Sequence, residues 1–161
     1  MSMMYHLREI TNNEAAKLTA DPEQIEDFLD NSLGQSEIDL EKAWHGIHYL
    51  LTGDASGGER PHCYLMDGGS PVGDIDVGYG PAMLLSKDQV KEFSDVLGKL
   101  SEEQLKERFD PEAMDKAGVY PGVWDEGDEA FEWLFEVIDS ELKPFFSTAS
   151  QNGNSVLLWM D

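Results

Sequence analysis

Several side chains in this 161-residue chain have types and spacings that could do chemistry. Glu41, His45 and His48 stand at i, i+4 and i+7, so a helix through them would gather one carboxylate and two imidazoles within about 60°, the donor set of a divalent metal. Three ligands on one straight helix would nonetheless spread over about 10 Å of rise, and H-x-x-H lacks the embedded glutamate of a zinc-protease helix. Packing explains the helix without a metal: His48 sits beside Trp44 at the rim of an apolar stripe with one hydrogen bond satisfied, and His45 faces solvent. Asp74 and Asp76 flank Ile75 in V-G-D-I-D-V-G. If that segment is extended, both carboxylates project to one side, where they could hold Mg²⁺ or share a proton. Turn glycines with solvated aspartates account for the same residues. No Gly-Lys-Ser/Thr phosphate loop is present, and Gly78 and Gly80 do not extend to a dinucleotide fingerprint. Tyr79 in G-Y-G-P, with Tyr120 and Trp124 in Y-P-G-V-W, places rings in glycine- and proline-rich loops, where they either line a pocket or plug a core. Together with Trp44, His48, Asp74 and Asp76 they form one candidate pocket. Cys63 has only Arg60 and His62 as basic neighbours in sequence, too little for a catalytic dyad.

The acidic residues form a pattern of their own. Between Asp125 and Glu141 there are eight carboxylates and no Lys or Arg. Glu129, Glu132, Glu136 and Asp139 repeat at three and four, opposite Phe131, Leu134, Phe135 and Ile138. Like charges so spaced cost a few tenths of a kcal/mol per pair. Two readings stay open, a solvated face and a docking face for a basic protein. Over the whole chain, 11 basic and 33 acidic residues give a formal charge of −22, which repels phosphate backbones and anionic lipid and so argues against nucleic-acid and membrane-surface binding.

These side chains need elements to position them. The length suits one domain, and 40% apolar with 27% charged residues is the balance of a folded globular chain. Asp21-Pro22 and Asp110-Pro111 each read as a capping aspartate followed by a proline at the first helical position. The first predicts a helix from Pro22 to about Asn31, carrying Ile25, Phe28, Leu29 and Leu33 and ended by Gly34. Asp39 predicts a cap for a second helix with Leu40, Ala43, Trp44, Ile47, Leu50 and Leu51 on one side and Gly53 as a left-handed terminus. Residues 53–81 hold eight of the fifteen glycines and read as loop and turn. Ala82 to Leu85 is a short buried strand. Ser86 with Gln89 and Ser101 with Gln104 are capping boxes that open two further helices. A last long helix is expected over about Asp128 to Lys143, stopped by Pro144. Ser155 to Met160 and Met3 to Ile10 read as strands. Few strands among five or more helices predict an α+β single domain with a small mixed or antiparallel sheet. The lone cysteine and a start without a basic or long apolar stretch predict a reducing, cytosolic setting, and no window is apolar enough to span a bilayer.

Three stretches, K-A-W-H-G-I-H-Y-L-L-T-G from Lys42 to Gly53, G-Y-G-P-A-M-L-L-S from Gly78 to Ser86, and R-F-D-P-E-A-M from Arg108 to Met114 followed by Y-P-G-V-W from Tyr120, resemble the YfbM-like family of small bacterial proteins, a domain of unknown function. The resemblance covers nearly the whole chain and implies an α+β single domain. It implies no activity, cofactor or catalytic residue. On the residues alone, the leading expectation is a non-enzymatic binding protein without metal or cofactor, its acidic surface engaging a basic protein partner, for example as an inhibitor or immunity-like antagonist of a basic effector. The alternative is a small metal-assisted hydrolase using His45 or His48 with Asp74 and Asp76.

Overall fold

Strand alternation and capping chemistry account for most of the architecture. The computed structural model describes residues 2–31 and 35–161. Five strands, β1 (Tyr5–Ile10), β2 (Glu37–Glu41), β3 (Ser70–Pro71), β4 (Met83–Leu85) and β5 (Ser155–Met160), pair antiparallel in the order β2-β1-β5-β4-β3. The middle of the sheet is therefore β1 against β5, in register from Tyr5 opposite Met160 to Ile10 opposite Ser155. Beyond that ladder, the backbones of Met4 and Asp161 exchange two more hydrogen bonds.

Successive side chains of a strand point to opposite faces, and both faces of this sheet are covered. Tyr5, Leu7, Val156, Leu158 and Leu85 enter the main core, under α3 (Trp44–Thr52), α4 (Lys87–Lys99), α5 (Glu102–Arg108), α6 (Pro111–Lys116), α7 (Asp128–Val137) and α8 (Lys143–Gln151). Leu157 and Trp159 point the other way. They meet Ile10 and Val72 and the apolar sides of α1 (Asn12–Ala20) and α2 (Ile25–Asp30) in a smaller second core.

The capping signals are realised where a side chain reaches the backbone. Ser86 and Gln89, and Ser101 and Gln104, form the expected reciprocal bonds, and the Asp110 carboxylate accepts from Ala113 N–H at 3.1 Å. Gly53, with φ of 77°, ends α3 as expected. Three expectations are corrected and one element is added. Asp21 makes no capping bond; Pro22–Gln24 is a single 3₁₀ turn ahead of a short α2, and Leu33 and Gly34 lie outside the described residues. Asp39 does not cap α3 either: residues 37–41 pair with β1, and the Asp39 carboxylate turns the chain by accepting from Glu41 N–H at 2.7 Å. α1 was not expected, although Thr11 and Glu14 form a full capping box. Finally, Pro144 does not end the last helix. Between α7 and α8 the chain widens into a π-helical turn, Ile138–Leu142, in which the Lys143 N–H reaches back five residues to the Ile138 carbonyl. A wide turn accommodates a residue that has no N–H and whose ring would otherwise press on the carbonyl four residues earlier.

Candidate functional site

Trp44, His45, His48 and Tyr120 gather on and round α3, which no side chain caps at its start and which other segments hold in place. Gly46 lets the helix approach α7 closely: a Cβ there would lie 2.5 Å from Trp124 Cη2 and 2.9 Å from Leu134 Cδ1. Trp124 is wholly buried and donates its indole N–H to the Val119 carbonyl at 2.8 Å. At the other end of α3, the Arg108 guanidinium donates to the carbonyls of Leu50 and Leu51, two acceptors a helix C-terminus leaves open. The stretches around Trp44, Arg108 and Tyr120 thus meet in space, each tied to the same short helix.

His45 is the most connected residue of this cluster. Its Nε2 lies 2.7 Å from the Ala55 carbonyl and its Nδ1 lies 2.9 Å from the Tyr120 N–H. A carbonyl only accepts and an amide N–H only donates, so the ring is the neutral Nε2–H tautomer. The ring stacks on Trp44 at 4.9 Å between centroids, and Trp44 in turn stacks on Tyr5 and Tyr120. Trp44 donates to the Met3 carbonyl, and Met3 N–H donates to the Tyr120 hydroxyl. A shallow recess of about 370 Å³ opens here between Trp44, His45, Asp115, Tyr120 and Pro121. His48, one turn further, is fully buried; its Nε2–H donates to the Gly57 carbonyl at 2.9 Å and its Nδ1 has no partner among the described residues. Burial pushes both imidazoles below their ordinary pKa.

The expected pocket of Trp44, His48, Asp74, Asp76, Tyr79, Tyr120 and Trp124 does not form as one cavity. Only Trp44 and Tyr120 share the recess, with His48 and Trp124 buried beside it. Asp74 lies in a turn and Asp76 in the irregular stretch after it, neither in a strand, and the Asp76 carboxylate accepts the N–H groups of Gly78 and Gly80, which hold it below the usual carboxylate range. Tyr79 is 44% exposed at the end of β5. Glu41 is in β2 and exposed, so the helical Glu41, His45, His48 triad does not exist, and His45 is half-buried rather than solvent-facing. Among the described residues no group of three His, Cys, Asp or Glu side chains could hold a metal ion. Cys63 is buried, and burial pushes its thiol up, away from the reactive thiolate.

Two other features stand out. On the second face of the sheet, Arg8 is 1% exposed, sandwiched between the rings of Phe28 and Trp159, and donates to Glu37 and to the carbonyls of Phe28 and Leu29 at the end of α2. Beside it lies a groove of about 450 Å³ edged by Glu26, Asp30, Asp76 and Asp161. Along the 3₁₀ turn Trp124–Glu126, α7 and the π-helical turn, all eight carboxylates from Asp125 to Glu141 are exposed, including Glu129, Glu132, Glu136 and Asp139. No salt bridge among the described residues involves any of the eight. The nearby cations are turned elsewhere, Lys106 over the Phe131 ring and Lys143 to the Leu100 carbonyl.

Residues 1–159 match the family described as domain of unknown function DUF1877. The chain belongs to the DUF1877 family. Among solved structures, the YfbM protein of unknown function from Escherichia coli matches with a TM-score of 0.76 over 98% of this chain and 99% of that one, at 19% identity, a likeness of fold. A search of curated proteins finds no match. The fold and the family inferred from the three stretches are thus both observed.

Within this DUF1877 domain the stretches around Trp44, Arg108 and Tyr120 are joined at α3. The His45 links to Ala55 and Tyr120 escape sequence reasoning because a helical wheel places His45 off the apolar stripe without revealing that two loops fold over it. Arg8 was missed for a similar reason: an arginine in a strand reads as solvent-facing, and only the arrival of α2 on that face buries it. α1 did carry a legible signal, the T-x-x-E of Thr11 and Glu14.

Proposed function

We propose that this protein is a non-catalytic binding protein whose acidic α7 face captures a basic protein partner. The supporting observation is the run of eight exposed carboxylates from Asp125 to Glu141, none of them in a salt bridge among the described residues. An uncompensated face of one sign raises the local concentration of oppositely charged proteins and speeds their approach. Inhibition of a basic effector is the kind of role that such a surface suits. The hydrolase reading loses ground because His45 and His48 sit under the main face of the sheet with their Nε2–H groups committed to carbonyls, whereas Asp76 edges the groove on the opposite face.

The test is affinity capture with wild-type protein and with Glu129→Gln, Glu132→Gln, Glu136→Gln and Asp139→Asn combined, at low and high salt, followed by rebinding of the purified partner. The expected partner is basic, is lost by the quadruple variant and binds more slowly as salt rises, because steering acts on the on-rate. Equal capture by both proteins at both salts overturns the reading.

A further inference from the structure

We propose that His45 is an acid-sensitive latch: its neutral ring fastens the 118–122 loop to α3, and a proton on Nδ1 releases that loop and uncovers Trp44 and Tyr120. The argument rests on which atoms donate. Ala55 O needs a donor at Nε2, and the Tyr120 N–H needs a lone pair at Nδ1. The neutral ring satisfies both, and no second proton fits without breaking one bond. In the imidazolium, Nδ1–H and the Tyr120 N–H would point at each other across 2.9 Å, two donors with no acceptor between them.

The bond lost is the one that closes a ring of contacts. Tyr120 N–H holds His45, the Tyr120 hydroxyl accepts from Met3, and the Met3 carbonyl accepts from Trp44. Freeing the Tyr120 backbone removes one side of the recess that Trp44, Tyr120 and Pro121 share. Among the described residues, the charged and titratable groups near the ring are few. On α3 there is His48; on the 53–58 segment, Asp54, whose carboxylate is taken up by the N–H groups of Ser56 and Gly57; on the loop itself, Tyr120; and on α6, Asp115, which edges the recess. The leading segment before β1 contributes Met3, which does not titrate. His48 is a poorer receiver of the proton, since its Nδ1 is buried with no acceptor beside it, whereas His45 is half-exposed. Burial lowers the His45 pKa, so the native ring resists protonation, and what it contributes to stability is complete above the unfolded value of about 6.5 and is lost as pH falls below it.

The experiment is NMR on the full chain from about pH 7.5 to about pH 5, following the His45 ring nitrogens and the hydrogen exchange of the Tyr120 amide after correction for intrinsic rates. The expected result is a neutral Nε2–H ring at the upper pH and, as pH falls towards the His45 pKa, a loss of Tyr120 protection of about tenfold per pH unit that levels off once the ring is protonated. Leu7 and Leu158 amides should keep theirs. In His45→Asn, where the side-chain oxygen replaces Nδ1 as a non-titrating acceptor, protection should not follow pH. Should that variant fail to fold, the wild-type titration decides. The latch is overturned if the neutral ring carries its proton on Nδ1, if Tyr120 protection is unchanged while His45 titrates, if it follows His48 instead, or if the sheet amides open with it.

Discussion

At the scale of the residue, Gly46 sets how closely α3 can lie against Trp124 and Leu134. Its missing Cβ is the space that the Trp124 ring edge occupies. Gly46→Ala raises helix propensity but overpacks the contact, and the second effect wins by size: the propensity gain is about 1 kcal/mol, while forcing a rigid, wholly buried indole to shift costs about 1–3 kcal/mol. Urea titration should show a net loss of stability, and an unchanged midpoint would mean that Trp124 does not pack there. The same residues mark how far the sequence could be read. Trp44 and Ile47 were legible as core from their spacing, because helical periodicity reports which side of a helix is buried. His45 was not, since what buries it comes from loops some ten and seventy-five residues away.

At the scale of the element, some local capping signals were read correctly and others were not. Ser86, Ser101 and Asp110 make the bonds their spacing announces. Asp21 carries the same letters without the bond, and Asp39 had a stronger claim on it from pairing with β1, where strand hydrogen bonds replace helical ones. This difference is measurable. Thr11→Ala should destabilise the protein by about 1 kcal/mol through loss of the α1 cap, whereas Asp21→Ala should be within about 0.5 kcal/mol of neutral. Comparable losses for the two, by thermal or urea melts, would contradict the capping geometry. Pro144 was misread for a reason of the same kind: its effect depends on the turn before it, and a π-helical turn is not written in any residue pattern used to predict helices.

At the scale of the whole molecule, a formal charge of −22 acts on the compact state as self-repulsion. Raising ionic strength screens exposed charges more than about 10 Å apart at 0.1 M, so moderate sodium chloride should raise the melting temperature. A flat or falling response would mean that the carboxylates are compensated in solution. The α+β class was legible because composition, strand alternation and caps agreed, whereas the order of the strands was not, since β5 reaches its place between β1 and β4 only through contacts spanning most of the chain. That placement bears on how the protein is made. During synthesis the described helices, α1 to α8, all emerge before residues 155–160, yet those residues form the centre of the sheet. Until they arrive, β1 and β4 face each other across an unfilled gap with two open edges, and both cores lack one wall. A chain arrested before Ser155 would therefore remain an open, aggregation-prone intermediate, and the sheet closes only once β5 has emerged to fill the gap between β1 and β4.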